Sequence, residues 1–285
     1  MSSRRRAILA VCAVLAAFEL LRAGASRAQM PMEPLKESGQ SVTAAYEGWF
    51  RNHDGSYTML IGYFNRNLKE ALDIPVGPNN RIEPGGPDRG QPTHFLPRRQ
   101  WGVFTITVPA DFGKGKLTWT LVANGQKTVV PFHLDPLWIV NPFEEPAVSN
   151  TPPTLKLEPG GPPLQGPPRG IAASYSATVS QPLGLTVWAS DEPHAEPEPA
   201  ALRLPPLSVT WSKFRGPGAV TFASAKPEIG KADGEASTTV TFAEPGDYVL
   251  RVQVNDSSGD GGGGSQCCWT NAHVKVSVKP AAEGR

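Results

Sequence analysis

The chain has 285 residues and a formal net charge of +1. That length holds one or two domains with real cores, and the balanced charge excludes the one-signed field that binds nucleic acid or an anionic membrane surface. With 29 Gly, 30 Pro and only 19% charged residues, the composition suits many short strands and turns rather than long helices with charged solvent faces.

Residues 1–28 read as an export signal. Arg4, Arg5 and Arg6 form a basic start, and an apolar core runs from Ala7 to Phe18 before Glu19 interrupts it. Small residues follow, and Ser26-Arg27-Ala28 places a cut ahead of Gln29. An uncleaved anchor is the alternative, but the apolar core is shorter than the ~20 residues of a spanning helix. The mature chain is expected to be exported, periplasmic or extracellular, with no stable transmembrane segment. Cys12 does not suit lipidation, because Val11 is too bulky for the position before a lipidated cysteine.

Residues 29–40 show no period and are expected to form a flexible leader. A first β-sandwich module is expected over 41–140. Val42 to Phe50 and Tyr57 to Phe64 are strands joined by a turn at His53-Asp54-Gly55-Ser56. Residues 65–100 are crowded with Asn, Pro and Gly, a long excursion of the kind that often binds, with one short strand near Leu72-Ile74. Phe104, Ile106 and Val108 share one face of the next strand. Leu117, Trp119 and Leu121 share a face of another, and Asn124-Gly125 turns the chain into Lys127 to Phe132.

Residues 141–170 carry nine prolines and are expected to form a semi-rigid spacer, since proline cannot donate to a sheet ladder. A second sandwich is expected over 171–280. Leu183, Leu185, Val187 and Ala189 alternate inward, as do Leu207, Val209 and Trp211, then Tyr248, Leu250, Val252 and Val254, and last Val274, Val276 and Val278. Trp211 falls where such sandwiches place a core tryptophan, and Tyr248 where they place a tyrosine corner.

On the segments Leu185 to Asp191, Val209 to Ser212, Gly216 to Phe222 and Pro245 to Asp256, the second module resembles bacterial PKD-like or immunoglobulin-like domains of secreted proteins. The resemblance covers about 171–279 and implies a Greek-key sandwich. It departs from the PKD pattern after Trp211, where the family often carries Asp-Phe-Gly-Asp-Gly and this chain has Ser212-Lys213-Phe214-Arg215-Gly216.

No catalytic constellation is legible, so no enzyme and no cofactor is expected. His53, His94, His133, His194 and His273 are scattered, without metal-ligand spacing. Gly259 to Gly264 lacks the Lys-Ser/Thr of a phosphate loop. Asp191 and Glu192 fall at the same end of the second module as Asp256 and Asp260, where carboxylates can hold calcium, although Asp is also an ordinary loop residue. Cys267 and Cys268 are adjacent. Neighbours rarely pair, because the ring they close departs from ordinary disulfide geometry; a vicinal bridge or a bridge to another chain stays open in an oxidising compartment. With Trp269 beside them they make a candidate rigid contact point. The expected function is therefore non-catalytic binding or scaffolding, with an unknown protein or envelope polysaccharide as partner. The alternative is a carbohydrate-binding accessory module using Trp49, Phe50, Tyr57, Tyr63, Phe64, Trp101 and Trp119, provided these lie exposed.

Overall fold

Period-two alternation dictates nearly every element of the computed structural model, which describes residues 36–145, 149–191, 207–231, 234–256 and 267–281. The first part of the chain forms β1 (Val42–Arg51), β2 (Tyr57–Asn65), β3 (Leu72–Asp73), β4 (Asn80–Glu83), β5 (His94–Phe95), β6 (Arg98–Val108), β7 (Leu117–Ala123) and β8 (Gln126–Phe132). Sheet β1-β2-β6 packs with sheet β4-β7-β8, and β3 pairs with β5 in the excursion. Between the sheets Phe104 meets Trp119 edge-on at 5.3 Å, and the Trp119 indole donates to Asn80 at 2.9 Å. The two expected turns are present. Asp54 accepts from the Ser56 N–H at 2.9 Å, and Asn124 and Gly125 both hold positive φ (48° and 75°), as a two-residue hairpin loop requires.

The rest of the chain adds β9 (Thr154–Lys156), β10 (Ile171–Thr178), β11 (Leu183–Ser190), β12 (Ser208–Arg215), β13 (Val220–Phe222), β14 (Glu235–Phe242), β15 (Gly246–Asn255) and β16 (Trp269–Lys279). Its sheets run β13-β14-β11-β9 and β10-β16-β15-β12. In chain order this is the immunoglobulin arrangement, with the first strand split so that β9 joins one sheet and β10 the other. The fold class is all-β and immunoglobulin-like, as expected, and the narrower PKD resemblance is not resolved by this topology. All strand pairings are antiparallel except β10 with β16, which run parallel because the split strand lies beside the last one. Trp211 is buried in the second core. Tyr248 makes the corner: its hydroxyl donates to the Glu244 carbonyl at 2.8 Å and accepts from the Gly218 N–H at 3.1 Å.

Two expectations are corrected. The Pro-rich stretch is not only a spacer. Thr154-Leu155-Lys156 is a proline-free window, so its amides are free to pair. It joins β11 as an edge strand, exchanges hydrogen bonds between Leu155 and Leu164, and buries Leu155 in the second core. Residues 36–40 are not a loose leader, because Leu68 N–H donates to the Lys36 carbonyl and Gln40 N–H to Asn67. Residues 29–35 and the signal segment lie outside the described residues. Replacing Tyr248 with Phe leaves the Gly218 amide without its acceptor, and is expected to cost about 1–3 kcal/mol. The urea midpoint should fall with an unchanged slope; an unmoved midpoint would mean the corner does not hold the second sandwich.

Candidate functional site: a bulged seam and an exposed apolar tip

Three β-bulges, each an interruption of strand pairing that turns extra residues out of the ladder, meet where the two sandwiches touch. In β1 the register jumps between Tyr46 and Gly48, so Glu47 is the extra residue. In β6 it jumps opposite Gly62, so Trp101, Gly102 and Val103 bow outward. In β12 it jumps between Lys213 and Arg215, so Phe214 is displaced. Glu47 turns into the seam, where its buried carboxylate accepts from Arg99 at 2.7 Å and from the Gly102 N–H at 2.8 Å.

The bowed carbonyls of β6 are taken by the second sandwich. Asn271 donates to Gly102 O and His273 Nε2 to Val103 O, both at 3.0 Å. A carbonyl only accepts, so His273 carries its proton on Nε2. The Trp269 ring lies flat on Gly102, where a Cβ would fall 1.8 Å from the indole, so no larger residue fits. Phe214 crosses in the other direction. It is buried in the first core, stacks on His273 with ring centroids 4.2 Å apart, and its carbonyl accepts from Thr93. On either side of it Lys213 donates to Asp73 at 3.1 Å, and Arg215 makes a two-pronged pair with Asp88 at 2.7 and 3.0 Å.

The electrostatics follow from burial. Desolvation pushes the Glu47 carboxyl up from 4.5 to about 7, against Arg99, the Gly102 amide and the more distant Arg251. Desolvation pushes His273 down from 6.5 to about 3, helped by the charges of Arg251 and Arg215 and opposed by the Val103 bond. Asp88 is held below the ordinary carboxylate range by Arg215.

The excursion singled out in the sequence therefore spends Asp73, Asp88, Gln91 and Thr93 on an internal contact. The Trp269 contact point is likewise internal. Of the two pairings left open for Cys267 and Cys268, the vicinal one is present, a bridge with S–S 2.06 Å across a cis peptide. Both residues are fully buried, with Sγ of Cys268 3.4 Å from the Asn150 carbonyl. Of the acidic rim, Asp256 is buried and bonded by Asn150 at 2.6 Å. Glu192, Asp260 and His194 lie outside the described residues, and among the described ones no group of three His, Cys, Asp or Glu side chains could hold a metal ion. His94 is bound to Asp73, His133 packs on Tyr46 and Trp138, and His53 sits in the turn.

The seven aromatics do not form an open platform. Trp49, Tyr63 and Trp119 are buried. Tyr57 meets Trp49 edge-on, Phe50 meets Phe143, and Phe64 and Trp101 lie under arginines, with Arg99 3.8 Å above the Trp101 ring. A groove of about 630 Å³ opens beside Phe50 and Phe143, walled by Thr58, Thr105 and Thr107.

The apolar surface lies elsewhere. Leu137 is 91% exposed, Trp138 43% and Ile139 59%. Leu137 and Trp138 lie on a 3-10 turn, Pro136–Trp138, with Ile139 just after it, and Asp135 caps the turn by accepting from the Leu137 N–H at 2.9 Å. The Trp49 indole donates to Asp135 O at 2.8 Å, Val140 N–H donates to Trp49 O, and Trp138 stacks on Tyr46 at 5.3 Å. These contacts tie the apolar tip to β1. Pro136 to Val140 has no period, so the chain carries no local signal for the tip. Among the described residues no helix is long and apolar enough to cross a membrane.

No protein-family model matches the chain, and no curated protein matches it. Among solved structures, the D00-D0 domain of intimin is similar over 83% of this chain and 99% of its own, at 11% identity and a TM-score of 0.25. The tandem immunoglobulin domains A164-A165 of titin match over 85% and 100%, at 13% and 0.24. The Yersinia pseudotuberculosis adhesin InvE matches over 85% and 60%, at 12% and 0.24. At such scores these likenesses carry no argument, and the fold rests on the strand order described above.

Phe214→Ala and Trp269→Ala should each cost about 3–5 kcal/mol and uncouple the sandwiches. Calorimetry should show one transition for the native chain and two for each variant; one transition at an unchanged temperature would deny the seam its role. Stability should also follow the two buried titrations. Glu47 holds its proton more tightly in the fold, so its contribution is full below about pH 4.5 and is lost as pH rises through about 7. His273 releases its proton more easily in the fold, so its contribution is full above about pH 6.5 and is lost as pH falls toward about 3. The slopes oppose between those limits and leave a plateau. Urea midpoints across pH should lose the acid-side slope in His273→Gln and the neutral-side slope in Glu47→Gln.

Proposed function

We propose that the chain is an exported, non-catalytic binding or scaffold protein that makes protein–protein or cell-envelope contacts. The observation that carries this reading is the tip at Leu137, Trp138 and Ile139. Exposed apolar residues are ordinary when scattered, but three in succession, held by a cap, an indole hydrogen bond and a ring stack, form a contact point whose ordering cost is already met. A tryptophan flanked by aliphatics is also the residue type that dominates binding energy at interfaces. Behind the tip stand two sandwiches joined through a buried seam, which suits a part that transmits position rather than one that opens and closes on a substrate. The proposed order is a signal segment over 1–28, a first sandwich to about residue 140, and a second whose first strand begins at Thr154.

The test is retention of the full chain on an envelope fraction and on a panel of polysaccharides, each with calcium and with chelator. Saturable retention on a protein of the envelope, lost in Leu137→Asp/Ile139→Asp, is the expected result. Retention on a polysaccharide alone would replace this reading with a carbohydrate module, the groove beside Phe50 and Phe143 being its site.

A further inference from the structure

Sheet edges present unpaired backbone groups, and chains that stay apart protect them with charge, proline, shortness or a cover. Among the described strands nearly every edge is protected in one of these ways. β1 is covered by Val140, which donates to Trp49 O. β6 is covered by Asn271 and His273. β12 carries Lys213 and Arg215, and its Trp211 amide donates to Ala225 O. β8 carries Lys127 and Pro131. β4 is capped by the Ile82 bond to Pro87 O, and β9 and β13 are three residues long.

Among the described residues, β10 has none of these protections. It is eight residues long, and β16 occupies only one of its sides. From Gly170 to Gln181 there is no charged residue and no proline. None of its eight residues is buried: Ala172, Ser174 and Ser176 are exposed, and Ala173, Tyr175 and Ala177 rest partly against the second core.

We infer that β10 is a strand-addition surface whose occupant is the β10 of a second copy of this chain, paired antiparallel to make one continuous eight-stranded sheet. Charge selects this occupant. An uncharged strand offers a foreign strand no complementary charge to recognise, whereas it places no like charges opposite each other when it pairs with itself. A twofold axis perpendicular to the sheet puts a residue opposite its own copy, and the two central registers place Ser174 or Tyr175 there. Register about Ser174 sets Ala172 opposite Ser176. Register about Tyr175 sets Ser174 opposite Ser176 and Ala173 opposite Ala177. Small residues or hydroxyls then meet across the solvent face, where Ser–Ser pairs can bond. Arg169 falls opposite Val179 or Gln181, so the nearest charge meets no like charge in either register. This surface is independent of whatever the tip at Leu137 engages.

Sedimentation velocity of the full chain tests the inference. The native chain should pass from one-chain to two-chain mass as concentration rises. Ser174→Lys/Ser176→Lys sets lysine opposite lysine in both registers and should stay at one-chain mass, as should Ser174→Glu/Ser176→Glu, each with a native thermal unfolding profile. Mixing the two variants should restore the doubled mass, which a loss of folding could not do. A native chain that stays at one-chain mass, a lysine variant that still doubles, or a mixture that fails to pair would each overturn the proposal.

Discussion

A carbonyl turned out of its ladder must find a donor, and on this chain that need joins the two sandwiches. The bulge at Trp101–Val103 removes Gly102 and Val103 from pairing with β2, and burial leaves water no access to them. Asn271 and His273 supply the donors, and Glu47 takes the matching Gly102 amide. Polar satisfaction brings the last strand of the second sandwich against the bowed strand of the first. The Trp269 ring then fills the space that glycine leaves. Shape alone would allow the surfaces to slide; two side-chain-to-backbone bonds on consecutive carbonyls fix the register.

The charges around the seam follow the same logic at decreasing burial. Glu47 is buried, and desolvation raises its carboxyl to about 7 against the pull of Arg99, so burial offsets part of what that pair contributes. Lys213 with Asp73 and Arg215 with Asp88 lie nearer to water and contribute orientation more than energy. Phe214 between them supplies the apolar burial. One β12 segment thus combines an anchor with two flanking charges, and closure at the seam also covers the edge of β6. The apolar tip and the open edge of β10 are left as surfaces that no described residue covers.

Particular residues show what could be read in advance. Tyr248 and Trp211 were legible because each belongs to a strand whose neighbours alternate cleanly, so their place in the sandwich followed from register. Asn124-Gly125 was legible because positive φ at two successive positions is a demand few residue pairs meet. Leu155 was not, since three ordinary residues among nine prolines show no period. Lys213-Phe214-Arg215 was half legible: it is where the chain leaves the PKD pattern, and those residues clamp the sandwiches together. The departure was visible in the sequence, whereas its purpose needed the partner surface.

By itself the sequence determined most of the strands, the turns between them, their inward faces and the immunoglobulin-like character of the second sandwich, because strand periodicity and turn stereochemistry are local. Only the tertiary structure decided that the excursion and the Cys267-Cys268-Trp269 segment serve internal contacts, that Cys267 and Cys268 bond to each other, and that the seam is built from Glu47, Gly102, Phe214 and His273. The physical reason is common to these. A bulge breaks the period on which sequence reading depends, and the side chain it displaces is meaningful only against a surface distant in the chain, as His273 is from Val103.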